Sequence, residues 1–298
     1  MYIISNSCLI LKSTLFKFFS LFSVIRIYNI LIIVTAQYLT SIFILSPNTD
    51  IIKIIFDPYL FLIILCSSIA IGSGYIINNF YDQEKDLINR PIKYNIDKAV
   101  KKNTKLKFYL FLNFVVIALA FVISYRAIIF FSLYIFFLWL YSHKLKRILF
   151  IGNLFYSILT VTPFFAILLY YKNIDLIIVA YALFLFFIIL LKDITKDLKN
   201  LVGDFSLNYQ TIPVVFGEKF TKAIITLITT VNIILVLNLY LNFNRGLMEI
   251  FYFLSIVTLF LFLIKLYKSS NIHDYLFLHN ILRFIITIGI ISIFLTAL

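Results

Sequence analysis

The sequence predicts an all-α fold, a polytopic membrane protein with about nine transmembrane helices around a central cavity. Three observations carry that expectation. Mean hydropathy is +1.04, and 63% of the 298 residues are hydrophobic against 13% charged, more apolar surface than a soluble core of this length can bury. Apolar runs near the ~20 residues needed to cross a bilayer recur nine times. Basic residues crowd into alternate breaks between those runs, the asymmetry of a chain that threads back and forth through a membrane.

Taken in order, the runs fall at about 25–45, 58–80, 105–124, 127–141, 149–171, 174–191, 221–242, 247–267 and 276–297. Each must be helical, because backbone groups in lipid find partners only within their own segment. The fourth is short and reads as tilted, re-entrant or continued into its flanks. Residues 1–24 form an N-terminal approach segment, of which 13–24 (Ser13 to Val24) read as amphipathic. Seven Gly and five Pro leave few breaks, and residues 1–298 are taken as a single domain.

With the N-terminus inside, 21 of the 26 basic residues lie on one face: Lys12, Lys17, Arg26, then eight between Lys85 and Lys107, then Lys144, Lys146, Arg147, Lys192, Lys196, Lys199, Lys219, Lys222, Lys265 and Lys268. Only Lys53, Arg126, Lys172 and Arg245 lie opposite, and Arg283 falls inside the last run. The asymmetry places the N-terminus and the two long loops, 81–104 and 192–220, on the cytoplasmic side of a bacterial-type inner membrane. The net charge of +13 belongs to that surface and to anionic membrane lipids, not to nucleic acid. Cys8 and Cys66 imply no disulfide framework. His143, His273 and His279 lack the spacing of a zinc site, and the first residues lack a cleavable signal.

Eight of the 13 acidic residues sit in or beside those two loops. Asn78, Asp82 and Asp86 are spaced by four, so they drift only ~40° per step along one helical stripe. Asp193, Asp197, Asn200 and Asp204 follow at spacings of four, three and four, a second seam. A lone Asp here reads as a solvated loop residue. Two in-register stripes of like charge at one membrane face are costly unless a cation compensates. Carboxylate and amide oxygens are the hard donors magnesium takes, with phosphate oxygens completing its shell. The pattern therefore points to Mg2+ and a diphosphate, with Arg90, Lys146, Lys192 and Lys196 placed to offset a leaving group.

The run Gly74 to Asp82, followed by Asp86, Leu87, Ile88, Asn89, Arg90 and Pro91, resembles the first signature, N-D-x-x-D-x-x-x-D, of the UbiA superfamily of intramembrane prenyltransferases. Lys196 to Asp204, followed by Thr211, Ile212, Pro213, Val214 and Gly217, is similar to the second signature and its T-L-P-V tail. Tyr141, Ser142, Lys144, Lys146, Gly152 and Asn153 resemble the family's Y-S-x-x-L-K loop. The second signature looks most like the branch that prenylates geranylgeranylglyceryl phosphate. Five departures stand out: Asn79 and Asn200 where the family has Asp, Phe205 and Ser206 where it has basic residues, and Asn208 for a Gly, tolerable because Asn is the next-best left-handed helix stop.

The resemblance implies magnesium ligation by Asn78, Asp82, Asp86, Asp197, Asn200 and Asp204, with Asp82, Asp86, Asp197 and Asp204 as the catalytic set. Arg90, Tyr141, Lys146, Lys192 and Lys196 would bind substrate. The partners it implies are a polyprenyl diphosphate and an acceptor, either geranylgeranylglyceryl phosphate or a related lipid, or an aromatic acid or quinone precursor. Asp86 or Asp193 would take the acceptor proton. A cation transporter is the competing class, resting on Arg283 and Glu249 alone.

Overall fold

The computed structural model describes residues 20–173, 175–242 and 247–297. Cys8, Lys12, Lys17, Ile174, Arg245 and the 1–19 part of the approach segment lie outside them. Among the described residues there are nine helices long and apolar enough to cross a membrane: Ile27–Leu45, Pro58–Tyr81, Lys102–Ile123, Tyr125–Arg147, Ile151–Tyr171, Leu176–Lys199, Ile212–Asn242, Met248–Lys268 and Ile272–Leu295. All nine expected runs are present. The chain is an integral membrane protein, and it divides into two compact units, the described parts of Met1–Leu31 with Leu65–His143, and of Ile32–Ile64 with Lys144–Leu298.

In the first unit, residues 20–25 are helical and turn at Arg26, whose φ is +55°. Val24 from that turn packs with Ile76, Ile77 and Tyr109, bordered by Phe80, Tyr81, Leu112 and Trp139. Two short helices, Gln83–Asn89 and Pro91–Asp97, follow the second span. Pro91 starts the latter where its missing N–H costs nothing. The fourth span is not short: its helix runs on to His143, with the Trp139 and His143 rings stacked 5.3 Å apart. Trp, Tyr, Ser and His lower the apolar score of those last turns without breaking the helix.

The second unit builds its core from Ile188, Leu191, Ile194, Leu198, Ile225, Leu259, Phe262, Leu278 and Leu282, with partly buried Phe and Ile side chains around them. Asp57 caps the second span through the Tyr59 and Leu60 amides at 3.0 and 3.2 Å and accepts the Tyr170 hydroxyl at 2.6 Å. The sixth span is longer than the expected 174–191. It carries Asp193 and Asp197 on the last two turns of one 24-residue helix. The seventh begins at Ile212, nine residues before the expected 221, and breaks at Gly217 (φ +78°, ψ 176°).

An apolar cavity of about 140 Å³ lies within this unit. Ile178, Tyr181, Phe184 and Leu185 line it from the sixth span, with Phe251 and Gly289 opposite. A hydrogen bond of 2.6 Å joins the hydroxyls of Tyr181 and Tyr252, both on its wall.

Candidate active site

In the first unit the stripe survives a break in the helix. The second span ends at Tyr81 and a new helix starts at Gln83, with Asp82 between them at φ −92°, ψ 11°. The Asp82 amide still donates to the Asn78 carbonyl at 2.9 Å, Asp86 to Asp82 at 2.8 Å, and Arg90 to Asp86 at 2.8 Å. That ladder holds Asn78, Asp82, Asp86 and Arg90 on one line, each half-buried, while Glu84 points outward and is exposed. Lys93, on the next helix, carries its charge among Arg26, Asp97 and Asp86. Burial, and then the Arg26 charge, hold its ammonium below the usual lysine range against the pull of the two carboxylates.

The second seam, in the other unit, is buried. Asp193, Asp197, Asn200 and Asp204 are each less than 5% exposed. The Asn200 amide donates to Lys196 at 3.0 Å and Asp204 to Asn200 at 3.1 Å, so the seam also crosses a helix end without losing register. Asn153, on the fifth span, donates its side-chain amide to Asp193 Oδ2 at 2.9 Å and to Asp197 Oδ2 at 2.7 Å. One neutral group thereby holds two carboxylates together, each bond to a charged acceptor contributing about 1.5–3 kcal/mol. The Lys196 ammonium pairs with Asp193. Lys196 and Lys192 also lie 5.0 and 5.8 Å from the Tyr156 ring centre, within cation–π reach. The His279 ring reaches the Lys192 carbonyl at 3.2 Å.

Lys146 sits in a short turn, Leu145–Arg147, directly before the fifth span. Gly152 makes that turn possible, because a Cβ there would meet the Lys146 and Leu145 carbonyl oxygens at 3.1 and 3.2 Å. The Gln210 amide donates to the Arg147 carbonyl at 3.1 Å and the Arg147 guanidinium covers the Tyr209 ring, tying the segment after Asp204 to the same turn. Asn208 has φ +56°, the left-handed stop its place in the signature leads one to expect. Phe205 and Ser206, where the family has basic residues, are exposed. Tyr141 is half-buried near the end of the fourth span, in the first unit. Arg283 lies exposed on the side of the last span.

Asn153 and Tyr156 are the residues that spacing did not single out as part of a site. Asn153 entered only as the tail of a loop motif. The available signal was an amide one turn inside an apolar run, an expensive place for an unpaired polar group.

The donor chemistry fits magnesium. Among the described residues no three His, Cys, Asp or Glu side chains gather round one point. Magnesium needs no such cage, since it takes one or two carboxylates with substrate phosphate and water. Asp197 and Asp204 in one unit and the Asn78–Asp82–Asp86 stripe in the other each supply that much.

Residues 34–281 match the UbiA prenyltransferase family. The chain belongs to that family of membrane prenyltransferases. This UbiA chain is 33% identical over 193 residues to the digeranylgeranylglyceryl phosphate synthase of Methanosphaera stadtmanae, covering 65% of this chain and 70% of that one. It is 35% identical over 161 residues to the synthase of the same name from Thermococcus gammatolerans, covering 54% of this chain and 58% of that one, little more than half its length. A solved structure described as digeranylgeranylglyceryl phosphate synthase in membranes shares the fold with TM-score 0.69 at 22% identity, over 94% of this chain and 98% of that one. So does a UbiA homologue from Archaeoglobus fulgidus solved with GPP and Mg2+, at TM-score 0.67 and 14% identity, over 92% and 99%.

Proposed function

We propose that this UbiA chain transfers a polyprenyl group from its diphosphate to geranylgeranylglyceryl phosphate or a closely related lipid acceptor, with Mg2+ as cofactor. One observation carries the reading. The sixth span lines an apolar cavity with Ile178 to Leu185 at one end and presents Asp193 and Asp197, bridged by Asn153, at the other. Eight residues separate Leu185 from Asp193, about 12 Å along a helix. A helix greasy in one half and anionic in the other suits an amphiphile with a charged head and an isoprenoid tail. The names of the two relatives support the lipid acceptor, and the Archaeoglobus fulgidus structure supports the diphosphate with magnesium.

In this reading Asn78, Asp82 and Asp86 in one unit, and Asp197, Asn200 and Asp204 in the other, are magnesium ligands. Bound magnesium would supply the positive charge that stabilises a departing diphosphate. Arg90, Lys146, Lys192 and Lys196 add fixed cationic charge, and Tyr141 contacts substrate. Asn153 keeps the Asp193 and Asp197 carboxylates aligned before anything binds, so no reorganisation is required at the moment of reaction. The basic face, and with it the N-terminus and both acidic loops, is cytoplasmic.

The test is purified protein in detergent with Mg2+, labelled geranylgeranyl diphosphate, and either geranylgeranylglyceryl phosphate or an aromatic acid. Magnesium-dependent transfer to the glyceryl phosphate, lost in Asp82→Ala and in Asp204→Ala, is the expected result. Transfer to the aromatic acid alone moves the chain to another branch. Cation flux in liposomes with no transfer at all rejects the enzyme.

A further inference from the structure

Asn79 departs from the family pattern, yet both ends of its buried side-chain amide are bonded. Its side-chain nitrogen donates to Asp97 Oδ2 at 2.8 Å, and its oxygen accepts the Lys105 ammonium at 2.7 Å. Asn79, Asp97 and Lys105 are 5%, 2% and 1% exposed. Asp97 has no slack, because Ser23 Oγ donates to its other oxygen at 2.9 Å and Lys93 Nζ lies 3.1 Å from Oδ2. Ser20 Oγ adds a bond to the neighbouring Ile96 carbonyl at 2.7 Å.

Only a side chain with both a donor and an acceptor can stand between an ammonium, which donates only, and a carboxylate, which accepts only. An aspartate at 79 would keep Lys105 and set two carboxylates against each other at hydrogen-bond distance, the arrangement that forces one of them to lose its charge. The identity of residue 79 is therefore tied to Asp97. The bond between them has a topological consequence as well. It closes an excursion of eighteen residues onto the neighbour of Asn78, and that excursion contains Asp82, Asp86 and the Arg90 corner.

We infer that Asn79 and Asp97 form an amide–carboxylate latch that closes the loop bearing the first acidic ridge, and that Asn79 is a positioning residue for Asp82 and Asp86. This rests on the proposal that the ridge holds a magnesium diphosphate, and it adds that the ridge is aligned by a bond made outside it. Exchanging the two groups should restore the latch. In Asn79→Asp with Asp97→Asn the new amide at 97 donates to the carboxylate at 79, still accepts from Ser23, and leaves Lys105 paired, while Lys93, which now faces an amide nitrogen at 97, must turn to the carboxylate at 79.

The experiment compares full-length wild type, Asn79→Asp, Asp97→Asn and the double variant in detergent. One readout is affinity for inorganic pyrophosphate in the presence of Mg2+, and the other is hydrogen–deuterium exchange across residues 83–97. Asn79→Asp is expected to weaken pyrophosphate binding about tenfold or more, the scale for losing a group that orients metal ligands, and to speed exchange in the loop. Asp97→Asn weakens binding as well, and the double variant returns both readouts close to wild type. Wild-type behaviour of Asn79→Asp, a double variant no better than Asn79→Asp, or faster exchange with unchanged pyrophosphate affinity overturns the inference. Neither readout needs turnover, so absence of prenyl transfer would defeat the proposed function while these results still decide the latch.

Discussion

The two acidic ridges solve the same problem by opposite means. The ridge of Asp193, Asp197, Asn200 and Asp204 is buried; its first two acids ride the end of a long membrane helix and are aligned by direct side-chain bonds from Asn153 and Lys196, while a backbone ladder carries Asn200 and Asp204 past the helix end. The ridge of Asn78, Asp82 and Asp86 is half-buried and interrupted at Asp82. It owes its alignment to a backbone ladder and to a loop closed from outside at Asn79 and Asp97. Like charges can be stacked either by giving neighbouring carboxylates shared side-chain donors, as at Asp193 and Asp197, or by fixing the backbone that carries them. The first means is sensitive to single side chains, the second to the loop as a whole.

That contrast can be broken experimentally, the largest effect first. Chelating magnesium with EDTA should abolish turnover while circular dichroism still reports an intact helical protein, because both cores are apolar. Asp197→Ala and Asp82→Ala should each lower magnesium-dependent diphosphate release by about 10²- to 10³-fold, the scale of removing one group that stabilises developing charge. Asn153→Ala should cost about 10- to 100-fold in magnesium affinity, read from a metal titration of activity, and Asn153→Asp more, since it adds a third carboxylate. Lys196→Met strands a buried Asp193 and should destabilise the protein by about 3–5 kcal/mol in thermal unfolding. Lys93→Met should cost less, about 1–3 kcal/mol, because Asp97 keeps Asn79 and Ser23. Glu84→Ala should change stability by no more than about 0.5 kcal/mol and leave diphosphate release unaltered. A large loss there would mean that the exposed side of the stripe matters too.

Much of this architecture is legible in the sequence. Nine apolar runs can only be helices in lipid, and spacings of four and three place oxygens on one seam whatever the helix ends do. Asn208 shows how a signature carries backbone information, since its left-handed φ follows from the Gly it replaces. Boundaries were harder. Hydropathy ends the sixth run at Leu191 because Lys192 and Asp193 are charged, yet the helix continues to Lys199, its acids satisfied by Asn153 and Lys196. The roles of Asn153 and Asp97 were out of reach for a different reason. Each acts on a residue at least eighteen positions away, and no local period connects them.

Asn208 and Gly217 both have positive φ, and they bracket the segment that leads from the second acidic ridge into the seventh span. At Gly217 a Cβ would meet nothing within 4 Å, so the constraint lies in the dihedral rather than in crowding. Its φ of +78° and ψ of 176° belong to a region essentially reserved for glycine. An unbroken helix would lock the rotational phase of its membrane half to that of its loop half, residue for residue. Two positive-φ corners remove this lock, so insertions or deletions between them can retune the approach to Asp204 without turning the lipid-facing side of residues 218–242 toward the protein interior.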